Sequence, residues 1–392
     1  MNKIFHLLSL ILISYNICKS SKYTMFISQP IELGENETTV SMLLNTRKSK
    51  SFLFTDSPYA ENIDKTLTNY NDKLIFKGIT TQSFPFTLKN NSILTEKGFT
   101  GTLGLGISES LNNILFDTLK SNNAITNKYI TISVSPTETK TYFKEELPPD
   151  KNKKQICKLS ERKDLEKKYK ESWVCYYSHM FFCKSGNLDR LKFEDIEAVF
   201  GRVVFDLTSR YITIPIEWGE YIIKKFEIED YAKIILDDEG NGYLDINNLS
   251  QELINELPNF FIVLDGISYG IKASNLFEIN SDDTVISYIK FTKEQNNIWT
   301  LGYPFFINYN ISFNYDDASV YISGGNVIDF RNDYEKWKNN NLLFLNKENF
   351  DKYILIIGFV IGLILFIVVC IKICRSCCDK KEKIHSQLIE EH

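Results

Sequence analysis

Apolar β-formers recur in short runs broken by polar turn residues, first from Lys22 to about Val134 and again from Trp173 to about Ser323. Phe84–Leu88, Tyr129–Val134 and Trp173–Phe182 are rich in β-branched and aromatic residues and read as strands. Phe260–Leu264 and Ile267–Ile271 flank Asp265-Gly266, a dipeptide that supplies the positive φ of a tight primed turn, so the three together predict a hairpin. Trp299–Phe306, Ile311–Phe313 and Val320–Ser323 complete the expected sheet region. Leu111–Lys120 places leucine, isoleucine and phenylalanine at helical spacing, and Trp218–Lys225 predicts a second helix. Between the two β-rich halves, Thr137–Glu171 is dense in lysine and glutamate and holds Pro148-Pro149. It reads as an exposed connection with a helix around Glu161–Lys170. The pattern is mainly β, in two lobes.

The chain ends carry a different pattern. Lys3 followed by the apolar Ile4–Ile13 and then Cys18-Lys19-Ser20 reads as a secretory signal over 1–20. Tyr353–Ile371 is an apolar stretch long enough to cross a bilayer as a helix. Lys372, Arg375, Lys380 and Lys381 follow it, which by the positive-inside tendency puts the tail 372–392 in the cytosol and the body in the lumen or outside the cell. The expected organisation is an N-terminal β lobe over 22–140, a charged connection over 141–172, a C-terminal β lobe over 173–330 and a stalk over 331–352. The transmembrane segment is 353–371, and the whole is a single-pass type I protein of the secretory pathway or cell surface.

With 392 residues, 43% of them hydrophobic, the chain is long enough to bury a core in each lobe. A net charge of -5 gives no reason to expect a nucleic-acid partner. Cys370, Cys374, Cys377 and Cys378 lie in or just below the membrane, where S-acylation is chemically open to them. That leaves Cys157, Cys175 and Cys183 for one disulfide in the oxidising compartment, with the pairing open. Asn36, Asn90, Asn248 and Asn310 each begin a glycosylation sequon, which suits such a compartment.

The chemistry concentrates in Val203–Pro215. A hydrophobic run delivers Asp206, small polar residues follow, and a second β-branched run ends at Pro215. A carboxylate carried into a buried strand is costly without hydrogen bonds or a proton, so Asp206 is either a satisfied structural acid or one tuned for a task. Phe52–Tyr59 repeats the pattern around Asp56. Phe99-Thr100-Gly101-Thr102-Leu103-Gly104-Leu105-Gly106 and Trp299-Thr300-Leu301-Gly302 then follow the two aspartates in matching order.

Together these residues resemble a pepsin-like aspartic protease over roughly Lys22–Ile328. The resemblance implies a mainly β, bilobal acid-protease fold, each lobe carrying an Asp-Thr/Ser-Gly-Thr/Ser loop and, later, a Leu-Gly strand crossing behind it. Asn45-Thr46 stands where the family has Gly-Thr, and ten positions on Asp56 falls at its first catalytic aspartate. Asp206 falls at the second, so the resemblance implies an Asp56/Asp206 dyad, with Ser57 and Ser209 keeping the supporting hydroxyls. Such a pair shares one proton, since like charges so close cannot both ionise. The support is degenerate: Pro58 and Tyr59 replace the first loop's glycine and hydroxyl, and Leu207 and Thr208 replace the second loop's gripping threonine and glycine. The interval from Asp56 to Gly101 is also short for the family's flap hairpin, with Tyr70 as the central tyrosine. The expectation is a membrane-anchored homologue with impaired or absent peptidase activity. The alternatives are an active endopeptidase, and a surface ectodomain for peptide binding or adhesion. Its partner is a polypeptide substrate or peptide ligand.

No metal or cofactor is expected. Asp237–Asp245 has oxygen ligands at alternating positions like a calcium loop, but Asn248 stands where the bidentate glutamate belongs, so a turn before a strand at Tyr243–Ile246 is the preferred reading. Gly98–Gly106 lacks the spacing of a phosphate-binding loop. His179, within an aromatic run, reads as a packed side chain rather than a base.

Overall fold

The computed structural model describes residues 27–57, 59–60, 70–90, 94, 98–110, 112–136, 139–142, 157–158, 164–184, 196–280, 283–294, 297–328 and 330. The signal over 1–20, Pro58, Pro148-Pro149, the stalk over 331–352, the apolar stretch 353–371 and the tail with its cysteines lie outside them. Among the described residues no helix is long and apolar enough to cross a membrane.

The first half closes into a barrel of β1 (Ser28–Leu33), β2 (Thr38–Asn45), β3 (Phe52–Phe54), β4 (Tyr70–Phe76), β5 (Ile79–Lys89) and β6 (Gly101–Gly104), in the order β1-β2-β6-β3-β5-β4. Alternation drives it: Val40, Met42 and Leu44 of β2 and Leu74 and Phe76 of β4 are buried, and the residues between them are mostly less so. The glycine-dense stretch is a strand pressed against backbone. A Cβ at Gly101 would lie 2.2 Å from the Phe52 carbonyl oxygen, and one at Gly104 would lie 2.5 Å from the carbonyl of Lys50.

Contrary to the expectation from the short Asp56–Gly101 interval, a long hairpin is present. β4 and β5 pair antiparallel across Lys77-Gly78, whose φ values of 53° and 78° are those of a tight primed turn. Polar residues interrupt both strands and hid the alternation. Tyr70 opens β4, is buried, and stacks on Phe86 at 5.4 Å. β4 also pairs with β1 (Glu32 opposite Ile75), which ties the hairpin into the barrel.

Asn113 caps helix α1 (Ile114–Ser121), accepting from the N–H groups of Leu115 and Phe116. Its amide donates to the carbonyls of Gly104 and Gly106 (3.1 and 2.6 Å), so the cap also holds the glycine strand. β7 (Tyr129–Val134), β8 (Thr139–Tyr142) and β9 (Cys157–Lys158) follow. The boundary expected at 140 thus falls inside β8, and the connection contributes β9. The described part of its expected helix is instead a 3-10 turn at Lys167–Tyr169. The stretch is not wholly exposed either: Leu165 and Tyr169 are buried with Val174, Val204 and Ile298. Two apolar side chains among many lysines were enough to dock it.

The second half contributes β10 (Val174–Cys183), β11 (Ile196–Phe205), β12 (Ile212–Pro215), helix α2 (Gly219–Lys225), β13 (Ala232–Leu236), β14 (Gly242–Ile246), β15 (Asn259–Leu264) and β16 (Ile267–Ile271). After the small pair β17 (Phe277–Ile279) and β18 (Val285–Ser287) come β19 (Ile289–Thr292), β20 (Ile298–Leu301), β21 (Asn310–Asn314), β22 (Ser319–Ser323) and β23 (Asn326–Ile328). Ten of these form one sheet in the order β13-β14-β19-β12-β20-β11-β10-β15-β16-β23, and β8-β7-β21-β22-β9 joins strands from both halves. The β15–β16 hairpin turns at Asp265 and Gly266 (φ 44° and 78°), as their residue types require. Trp299–Phe306 is only half strand, because β20 stops before Gly302 and Tyr303–Phe306 is a helical turn with Pro304 near its start. Trp173, fully buried, donates from Nε1 to the Leu105 carbonyl at 2.8 Å, and the Tyr315 hydroxyl donates to the same oxygen at 2.6 Å. One acceptor in the first half is thereby fastened by two donors from the second.

Candidate active site

The strands around Asp206 repeat those at the end of β2. β2 runs parallel to β6 with Asn45 opposite Gly104, and β3 pairs antiparallel with β6 and parallel with β5. β11 runs parallel to β20 with Phe205 opposite Leu301, and β12 pairs antiparallel with β20 and parallel with β19. One step further along β11 sets Asp206 opposite Gly302. Gly104 and Gly302 share the same need, for a Cβ at Gly302 would lie 2.2 Å from the Tyr211 carbonyl oxygen. Asn45 is therefore the counterpart of Asp206.

The local chemistry of the two residues agrees. Asn45 Oδ1 accepts from the backbone N–H of Arg47 at 2.9 Å, and Asp206 Oδ1 accepts from that of Thr208 at 2.9 Å. Both are Asx turns closed two residues on. Nine positions separate Asn45 from Phe54 at the end of β3, and nine separate Asp206 from Pro215 at the end of β12.

This register corrects the expected dyad. Asp56 follows β3 as Glu217 follows β12, one strand beyond the position of Asp206. It is exposed, and its Oδ1 accepts from the Thr55 hydroxyl at 3.1 Å. The side chains that the first half brings to Asp206 are those of Thr46 and Arg47. Thr46, with no exposed surface, donates from Oγ1 to the Phe205 carbonyl (2.7 Å) and accepts from the Leu207 N–H (3.1 Å). One hydroxyl thus holds the backbone on both sides of Asp206. Its counterpart Leu207 has no hydroxyl to return, so the grip runs one way.

Asp206 is 3% exposed. Its Oδ1 also accepts from the Thr208 hydroxyl (2.5 Å), and its Oδ2 is paired with Arg47 Nη1 at 3.2 Å. A buried carboxylate is held here by a backbone donor, a hydroxyl and a guanidinium, which removes the desolvation problem posed by the sequence. The Arg47 guanidinium lies over the Tyr169 ring, 5.2 Å from its centroid.

The two expected supporting serines serve backbone turns instead. Ser57, buried, donates to the Phe54 carbonyl at 2.7 Å, and Ser209 donates to the Tyr211 carbonyl at 2.9 Å. A cavity of about 460 Å³ opens beside Asp206, lined among others by Arg47, Lys168, Tyr169, Arg210, Lys290 and Glu294. Its lining residues include none of the β4–β5 hairpin. Lys168 pairs with Glu294 and Glu166. Burial, the largest single influence, lowers its ammonium pKa, but the hydrogen bond to Glu294 and the charges of Tyr169, Glu294 and Glu166 together exceed it and hold the group above its usual value. Burial, aided by the Glu294 charge, raises the Tyr169 hydroxyl, against the opposing pull of Lys168 and Arg47.

Asp237–Asn241 is the turn of the β13–β14 hairpin, as preferred, with Asp237 Oδ1 accepting from the N–H groups of Glu239 (3.0 Å) and Asn241 (2.8 Å). Among the described residues no cluster of side chains suited to a metal ion occurs. His179 packs its ring against Phe200 and Phe330 and bonds the Ser178 hydroxyl at 2.9 Å. Cys175 is disulfide-bonded, and Cys183 is buried at the far end of the same strand.

No family model matches the chain, and a search of curated proteins returns no match. Among solved structures it is similar to the aspartic proteinase from Irpex lacteus, at a TM-score of 0.59 and 13% identity, over 78% of this chain and 95% of that one. The likeness shows a pepsin-like fold.

Proposed function

We propose that this chain is a membrane-anchored protein of pepsin-like fold that does not hydrolyse peptides and acts through binding. The observation that carries this reading is Asn45 at the position equivalent to Asp206, with Arg47 paired to Asp206 itself. Acid-protease chemistry needs two carboxylates that share a proton, one acting as acid while the other activates water. An amide neither takes up nor releases that proton. A guanidinium 3.2 Å from the remaining carboxylate occupies the space where a second acid and its water would stand. Asp56 offers no substitute, being exposed two residues past β3.

The test is turnover. Full-length protein in detergent, given a mixed peptide library across pH 3–7, is expected to leave every peptide intact, as is its Asp206→Asn variant. Cleavage by the wild type that disappears in Asp206→Asn would overturn the reading.

Anchoring in a secretory membrane rests on the apolar run 353–371 and its basic flank. It also rests on Cys175 being disulfide-bonded and on the exposure of all four sequon asparagines, Asn36, Asn90, Asn248 and Asn310. The expected result is a protein that stays with membranes in alkaline carbonate, shifts in mobility after glycan removal, and exposes only its tail to protease in sealed vesicles. Release by carbonate would sink the anchor.

A further inference from the structure

The cavity beside Asp206 is more basic than either acid within it explains. Arg47, Lys168, Arg210 and Lys290 line it, against the carboxylates of Asp206 and Glu294. Arg47 is matched by Asp206, and Lys168 by Glu294. Arg210 and Lys290 form no ion pair among the described residues. Arg210 lies over the Tyr288 ring at 4.9 Å and donates to the Tyr288 hydroxyl at 3.3 Å. That hydroxyl in turn donates to the Glu278 carboxylate, so Arg210 meets this acid only through the tyrosine. Lys290 lies over the Tyr243 ring at 4.8 Å, and the carboxylate that acts on it, Asp237, is spent on its own turn. Two cations are therefore held in place by aromatic faces, with most of their N–H donors uncommitted.

Threonines also line the cavity around them. Thr213, Thr292 and Thr300 present hydroxyls from three neighbouring strands, β12, β19 and β20. The volume of about 460 Å³ suits one or two side chains of a bound segment, and the half-buried Tyr211 lines it with an aromatic ring for its carbon skeleton. A neutral or cationic segment entering here would leave Arg210 and Lys290 desolvated with no directly paired carboxylate, Glu278 reaching Arg210 only through Tyr288 and Asp237 being held in its turn, at a cost that an anion lowers.

We propose that this cavity is the specificity pocket of the binding function, and that it takes a peptide segment carrying two closely spaced acidic side chains, one for Arg210 and one for Lys290. The inference rests on the non-hydrolytic reading for its role, but not for its chemistry. Arg210, just before β12, and Lys290, in β19, share no motif and so carry no joint signal in the sequence.

The test uses full-length protein in detergent and fluorescein-labelled decapeptides with two glutamates at each spacing from adjacent to three apart, beside matched glutamine peptides. The expected result is at least about tenfold tighter binding of the best glutamate peptide than of its glutamine match, weakening steeply with added salt. Arg210→Gln with Lys290→Gln should abolish that preference. Lys290→Glu alone, a change at a half-buried side chain, should reduce affinity about tenfold, while Lys233→Gln on the edge strand β13 leaves it unchanged. Equal binding of glutamate and glutamine peptides, binding of neither, or displacement by a sulfated oligosaccharide at lower concentration than by free glutamate peptide would each overturn the proposal. Mass spectrometry of the same mixtures separates the two readings. Cleaved peptide removes the non-hydrolytic function and leaves the pocket standing, whereas intact peptide bound without regard to acid does the reverse.

Discussion

Replacing Thr46 by valine is expected to cost the fold about 2–4 kcal/mol, although the two side chains have nearly the same shape. The Thr46 hydroxyl is fully buried, donating to the Phe205 carbonyl at 2.7 Å and accepting from the Leu207 N–H at 3.1 Å. Valine leaves both backbone groups unpaired where water cannot reach them, and each such group costs about 1–3 kcal/mol. The loss is not local, because those two groups flank Asp206 and sit in the other half of the chain. Thr46→Ser keeps the hydroxyl and gives up one methyl, so it should cost about 1 kcal/mol. Denaturant unfolding followed by tryptophan emission checks both, with Trp173 and Trp299 fully buried in the wild type. If valine and serine proved equally mild, the hydroxyl would not be the tie between the halves.

What could be read from the chain depended on whether the deciding physics was local. Asp265-Gly266 specifies its own turn, since few other pairs accept positive φ twice, and the strands on either side ended where the dipeptide said they would. The Leu-Gly repeats were also legible, because a glycine forced by close backbone approach leaves a mark in the sequence. The partner of Asp206 was not. It is set by which residue of β2 lies opposite Gly104 in β6, a pairing between strands far apart in the chain. A search for aspartates could only return Asp56, since the residue in the right place is an asparagine. Asn45 gave one usable signal: it stands nine positions before the end of a β-rich run, as Asp206 does. Arg47 had none, because a guanidinium filling the space beside a carboxylate is a fact of three dimensions. The β4–β5 hairpin was hidden for a different reason. Asn71, Asp72 and Lys73 obscure an alternation that becomes clear only when β1 and β5 are seen on either side.

Restoring both lost features at once, Asn45→Asp with Arg47→Gly, should turn an acid held by a cation into two acids facing each other. The wild-type Asp206 carboxylate has a guanidinium at 3.2 Å. The double variant has no such cation and a second carboxyl group at the equivalent position of the other half. Two carboxylates in one site cannot both ionise cheaply, so they hold one proton between them and one of the two is protonated more readily than a lone carboxylate. The sign follows directly. A pKa raised on folding contributes stability that is complete below the unfolded carboxyl value of about 4 and is lost as pH climbs through the folded value. Relative to wild type, the double variant should therefore be weaker at pH 7, with the deficit closing as pH falls toward 4. Arg47→Gly alone lacks the second acid and should show a smaller, flatter deficit, and Asn45→Asp alone keeps the guanidinium paired with Asp206. Melting temperatures of the four proteins from pH 4 to 7 make the comparison. Parallel curves for the double variant and Arg47→Gly would mean that residues 45 and 206 do not meet, and the equivalence read from the strand register would fall with them.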